Sequence, residues 1–351
     1  MENIQQTRSP HRREHLNESV GTPHEGISGP VAVAQRMWQQ HPPLALVGGV
    51  MALLTVFFVL GIFVDSRTVL GQPTWLKPAK FAVSTALYCL TLTWLLGFVR
   101  TASRFLKRVI TAVGWVIAAV FVVEIPLIAY QAARATLSHF NFATTFDATL
   151  YSVMGVSIMV LFIANILLAV VLAFSRFDSR TLGWSIRLGL IIAIAGMGEG
   201  FLMTNPTALQ LAAWEGGAPT TVIGAHSVGV PDGGPAMPVT GWSTTGGDLR
   251  IGHFIGMHAL QVLPFLGFWL SRRRRLNETQ QVALVTLAGV SYFSLTLLVT
   301  WQALRAQPLL NPDVLTAGAF LALVAVTGSI ALLIVARPSK LVAQPSGVGR
   351  G

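Results

Sequence analysis

The sequence predicts an all-α protein, a polytopic bundle of eight transmembrane helices with both termini in the cytoplasm. Three observations carry that prediction. Of the 351 residues, 53% are apolar and only 11% are charged, whereas a soluble domain carries roughly a quarter of its residues charged. The apolar residues recur in runs of about 20 along almost the whole chain, the length a helix needs to cross ~30 Å of hydrocarbon. The basic residues fall in short clusters between those runs, so the net charge of +10 reads as topology and not as a nucleic-acid surface.

Residues 1–42 are polar, with Arg8, Arg12, Arg13 and Arg36 set against Glu2, Glu14, Glu18 and Glu25. They lack the apolar stretch of a signal peptide. With so little apolar surface to bury, they read as a disordered cytoplasmic tail in which 31–40 has the pattern of a short amphipathic helix on the membrane surface. The spans follow over 43–64, 78–99, 109–134, 148–174, 182–204, 249–270, 280–304 and 313–336, and 337–351 forms a second cytoplasmic tail. Asp147, Asp248 and Asn311-Pro312 precede the fourth, sixth and eighth spans and read as capping residues. With the amino terminus inside, eighteen of the 24 Lys and Arg face the cytoplasm, leaving Arg67, Lys77, Lys80, Arg134, Arg250 and Arg305 on the other side. Every inside loop agrees with the positive-inside rule. Trp94, Trp115, Trp184 and Trp269 then fall near the cytoplasmic ends of their spans, as an interfacial belt requires.

Some features carry no function. Cys89 is the single cysteine and lies in an apolar run, which excludes an intramolecular disulfide framework and a cysteine metal cluster. The sequons at Asn17 and Asn277 fall on the cytoplasmic side, and no internal repeat supports an inverted-repeat transporter. Lys77 and Lys80 read first as interfacial anchors that snorkel outward.

Ionisable groups inside spans are costly and start as functional candidates. Nearly all of them lie in the outer half. The third span holds Glu124 and Gln131, seven residues apart and so within ~20° on a helix, with Arg134 at its outer end and Ser138-His139-Phe140-Asn141 beyond. The fifth holds Glu199 within Gly196-Met197-Gly198-Glu199-Gly200, and the sixth holds Gly252-His253-Phe254-Ile255-Gly256-Met257-His258, then Gln261 and Pro264. The pairs Gly196/Gly200 and Gly252/Gly256 permit close backbone approach, so the fifth and sixth spans are expected to pack there. Counting inward puts Glu199 and His253 ~7 Å deep and Glu124 and His258 ~14 Å deep. The expectation is a shared outer-half site in which Glu199 pairs with His253 and Glu124 approaches His258. Against it, His253 and His258 stand about 140° apart on the helix, HExxH is absent, and buried His and Glu also serve as interhelical hydrogen-bonding groups. Gln131, Arg134 and Gln261 fit that structural role best. The outer loop 205–248 is long, rich in Gly and Pro, and carries Trp214, Glu215, His226, Asp232 and Trp242; it reads as a lid over the site.

Gly241-Trp242-Ser243, Gly246-Gly247-Asp248-Leu249-Arg250, His253-Phe254 and His258-Ala259-Leu260-Gln261, together with Ser138-His139-Phe140-Asn141 and Trp75-Leu76-Lys77-Pro78, resemble a group of bacterial multi-pass membrane proteins with no established activity. The resemblance covers most of the membrane region and implies a bacterial inner-membrane location. The HxxxxH spacing separates the chain from seven-span lipid hydrolases, whose zinc site uses HxxxH.

Three functions are weighed. The first is a metal or haem site, with a redox role, on His253, His258 and His139, with Glu124 and Glu199 as charge partners. The second is a proton-coupled transporter using Glu124 and Glu199. The third is a structural or sensory subunit. The lipid bilayer is the expected partner, and nucleic acid is not.

Overall fold

The computed structural model describes residues 29–100, 103–219 and 221–337. The expected disorder of the first part of the tail, the sequon at Asn17 and nearly all of the carboxyl tail lie outside the described residues. The chain is mostly helical, and eight helices among the described residues are long and apolar enough to cross a membrane. A short helix α1 (Pro30–Gln40) precedes them, with Pro30 preset for its first turn. Then come α2 (Pro42–Val64), α3 (Leu76–Leu96), α4 (Arg104–Ala133), α5 (Thr145–Ala173) and α6 (Arg180–Thr204). After the short α7 (Ala208–Glu215) follow α8 (Arg250–Ser271), α9 (Glu278–Leu304) and α10 (Val314–Ala336).

The boundaries differ from the sequence reading where polar residues continue a helix or glycine ends one. α4 starts at Arg104 and not at 109, because Ser103 accepts a hydrogen bond from Leu106 N (3.3 Å) and the helix runs through the basic cluster. α3 ends at Leu96, and the chain continues into β1 (Val99–Arg100), which pairs antiparallel with β2 (Arg176–Phe177). Capping also departs from expectation. Thr144, not Asp147, caps α5 and accepts from Asp147 N (3.1 Å). α8 begins after Leu249 without a side-chain cap, and Asp313 caps α10 by accepting from Thr316 N (2.8 Å). The segment 205–248 is not a plain loop: besides α7 it holds β3 (Ser227–Val228) and β4 (Gly247–Asp248), joined antiparallel.

The connections sort to two ends of the bundle. At the loop end, Arg67 donates to Ala133 O (3.0 Å), Lys80 to Thr240 O (2.8 Å), Phe142 N to Thr221 O (2.8 Å) and Ala225 N to Met203 O (3.0 Å). At the arginine-rich end, Arg100 pairs with Asp178 (2.7 Å), Thr181 donates to Gln281 (3.0 Å) and Gln280 donates to Arg337 O (2.9 Å).

Large side chains such as Leu44, Ile117, Leu168, Ile186, Leu190 and Leu260 fill the interior, while Leu53, Phe63, Val64 and Phe174 project outward. An apolar exterior of this kind suits hydrocarbon, where helices associate by close packing and not by escape from water. The most apolar stretch of α10 has no fully buried residue; the helix is tied to α9 through the hydroxyls of Ser291 and Thr327, 2.7 Å apart.

α6 and α8 make the most extensive helix–helix contact among the described residues. A Cβ added at Gly196 would lie 2.6 Å from Gly256 C and Met257 N, so only glycine allows this backbone approach. Gly198 faces open space. Gly196→Ala is therefore expected to lower stability by about 1–3 kcal/mol through overpacking, and Gly198→Ala to be neutral or slightly stabilising. Thermal unfolding of both variants in detergent checks the contrast.

Candidate functional site

The middle of α4 supplies the feature that most needs an explanation. Glu124 is 1% exposed, and neither of its carboxyl oxygens has a hydrogen-bond partner among the described residues. Its neighbours on the buried face of α4 are Ile117, Val120, Ile125 and Ile128. Two residues on, Pro126 removes one backbone donor inside the helix, which loosens the ladder next to the carboxyl. Among the described residues, Lys77 on the first turn of α3 is a cation whose field reaches Glu124. Lys77 Nζ lies 5.9 Å from the ring centre of Phe81 and makes no hydrogen bond among the described residues.

Lys77 connects Glu124 to a layer of polar side chains at the loop end. Its charge acts on His139, His226, Asp232 and Arg250. His139 sits in the turn after α4, with Nδ1 3.0 Å from Ser138 Oγ and its ring centre 5.7 Å from Phe81 and 6.0 Å from Tyr151. His226 packs 5.0 Å from the Phe140 ring, and its Nδ1 donates to Asp232 Oδ2 (2.9 Å). Asp232 also accepts from the backbone N–H groups of His226 (3.0 Å) and Ser227 (2.8 Å), which braces the turn 226–232 within the segment. Asp248, 0% exposed, accepts from Ser243 N (2.8 Å) and from Arg250 N (3.0 Å), Nε (2.9 Å) and Nη2 (2.5 Å). The segment 205–248 is thus braced from within and tied to the helices by the Lys80–Thr240 and Ala225–Met203 hydrogen bonds.

Burial holds both His139 and His226 below the ordinary histidine value of 6.5, and the Lys77 charge adds to the effect, against the opposing hydrogen bond that His226 donates to Asp232. Both rings are neutral at pH 7. In the unfolded chain they take up protons below pH 6.5, so stability is full above that value and falls as pH drops below it, by up to about 1.4 kcal/mol per pH unit for each histidine. Thermal midpoints measured from pH 7.5 to pH 5 are expected to decline, and His139→Gln to flatten the decline.

The remaining expected residues are placed differently. Glu199 Oε2 accepts from Thr300 Oγ1 of α9 (2.8 Å), and His253 Nδ1 donates to Gly196 O (2.7 Å), so neither hydrogen bond forms the expected Glu199–His253 pair. Gly200 lies against the His253 ring, and Gly252 lies against Glu199 and Thr300. His258 Nδ1 is 3.3 Å from Gln261 Oε1 on its own helix, and Glu124 has Lys77 as its charged neighbour instead. The 140° offset between the two histidines explains why they meet different partners. Gln131 and Arg134 take the structural role: Gln131 Nε2 (2.9 Å) and Arg134 Nη1 (2.6 Å) both donate to Asp147 Oδ1, closing the turn between α4 and α5. Among the described residues, no three His, Cys, Asp or Glu side chains come together as ligands for a metal ion.

Sequence reasoning passed over Thr300, read Lys77 as an anchor and Asp147 and Asp248 as caps, and gave Asp232 no role beyond its place in the outer loop. One signal pointed to Lys77 and Lys80, since they are among the six basic residues that break the positive-inside pattern. Comparison with protein-family models, curated proteins and solved structures finds no match to this chain.

Proposed function

We propose that the chain is a proton-coupled carrier of a bacterial inner membrane, with both termini in the cytoplasm and Glu124 as the proton-binding carboxyl. The observation that carries this reading is the buried Glu124 carboxyl with no hydrogen-bond partner. An ionised carboxylate in such a place is costly, and gaining or losing a proton, or the approach of a cation, changes its energy more than any other local event. Lys77 supplies the opposing charge, and Pro126 gives α4 a point at which to bend. Glu199, held by Thr300, is the second proton site. The segment 205–248, tied to the helices at the loop end, is the element that moves to give access from outside.

The test uses full-length protein in liposomes that contain a pH dye, challenged in turn with amino acids, carboxylates, sugars and inorganic cations. One class is expected to drive proton movement, and Glu124→Gln to abolish it. Proton movement unchanged by Glu124→Gln, or absent with every class, counts against the reading. Cysteine labelling checks orientation: a cysteine near His226 should react from outside the cell, and one near Arg274 only after permeabilisation.

A second reading, a haem or metal on His253, is favoured by one observation. With Nδ1 donating to Gly196 O, the ring presents Nε2 as a lone pair, the arrangement that orients metal-bound histidines. An absorption spectrum and metal analysis of protein expressed with haem and transition metals supplied decide it; no Soret band and no stoichiometric metal remove it.

A further inference from the structure

At the arginine-rich end, the last turns of α8 and the two residues after it line a shallow, open pocket of Phe265, Phe268, Trp269, Arg272 and Arg273. The Arg272 guanidinium lies 4.0 Å from the ring centre of Phe268, and that of Arg273 lies 4.0 Å from the ring centre of Trp269. Among the described residues, neither guanidinium donates a hydrogen bond or pairs with a carboxylate. Three other cations at this end are partnered. Arg100 pairs with Asp178 (2.7 Å), Arg180 approaches Glu278 (4.0 Å), and Arg187 donates to Ser175 O (2.7 Å). Phe268 is itself fixed, with Trp94 at 5.5 Å and Phe98 at 6.2 Å. Two guanidinium groups are therefore held over aromatic rings with their N–H donors unspent, beside the exposed apolar surfaces of Phe265 and Trp269.

We propose that this pocket binds an anionic phospholipid. Arginine stacked on a ring keeps its fork of donors free for phosphate oxygens. The end of a membrane-crossing helix places those donors at headgroup level, and one acyl chain runs past Phe265. A free phosphate ion would satisfy the arginines and leave Phe265 and Trp269 uncovered, which is why a lipid is the occupant. The proposal requires that the eight helices cross a membrane, but it does not involve Glu124, so the two can fail separately.

The experiment titrates dioleoyl phosphatidylglycerol and dioleoyl phosphatidylcholine onto the full-length protein in detergent and counts retained lipids by native mass spectrometry. Wild-type protein is expected to prefer phosphatidylglycerol. Arg272→Gln/Arg273→Gln should weaken that lipid on the order of tenfold, and Arg274→Gln/Arg275→Gln, which removes the same charge outside the pocket, by no more than about threefold. Equal retention of the two lipids, equal losses in the two double variants, or displacement of the lipid by inorganic phosphate overturns the proposal. A readout without charge substitution guards against misfolding. Brominated phosphatidylglycerol should quench tryptophan emission at lower concentration than brominated phosphatidylcholine, and Trp269→Phe should remove that difference. Its persistence in Trp269→Phe also overturns the proposal.

Discussion

Asp248→Ala is expected to cost about 3–5 kcal/mol, the range for removing one partner of a buried ion pair, and to leave little folded protein in detergent. The Asp248 carboxylate is 0% exposed and accepts four N–H groups, three of them from Arg250. Without it, the Arg250 guanidinium keeps its bond to Gly241 O but loses its counter-charge close to Lys77 and Lys80, both of which feel its field. The turn holding Ser243 and Gly246 loses its anchor at the same time. Asp178→Ala is the control. That residue also pairs with an arginine, at 2.7 Å, but both side chains are about half exposed, and such pairs contribute no more than about 1 kcal/mol. Thermal midpoints should fall strongly for Asp248→Ala and barely for Asp178→Ala; equal effects would mean that the loop end is not fastened through Asp248.

Glu124 is expected to show the opposite sign. Glu124→Leu removes a buried group that has no hydrogen-bond partner, and the protein should gain about 1–3 kcal/mol, the desolvation cost of an unsatisfied polar group. The same variant, like Glu124→Gln, should move no protons. A residue whose removal stabilises the fold and ends activity is held against its own cost, the pattern of a functional site. A structural carboxyl would behave like Asp248, and a marked loss of stability in Glu124→Leu would place Glu124 in that class.

The eight long helices were legible because each is an apolar run of sufficient length, a property of consecutive residues. Positions of candidates within helices were legible for the same reason: Gly196 does meet Gly256, and the angular separation of His253 from His258 does send them to different partners. Partner choice was not legible. Thr300, which takes the Glu199 carboxylate, stands 101 residues away on α9, and nothing local marks it out from Thr296. Lys77 resembled an interfacial anchor because periodicity reports depth along a helix but not which neighbour the side chain meets. Asp147 and Asp248 resembled caps because a short acidic side chain before a helix usually is one; burial against Arg134 and Arg250 gives them another task. The segment 205–248 contains a single two-residue strand pair, too short for any alternation to show.

The most direct measurement is infrared difference spectroscopy of the full-length protein in liposomes, recorded across a pH titration with and without Glu124→Gln. The expected result is a protonated-carboxyl band that appears and disappears reversibly with pH, shifts in heavy water and is missing from Glu124→Gln. A spectrum in which the wild type and Glu124→Gln show the same carboxyl bands throughout the titration would contradict proton binding at Glu124.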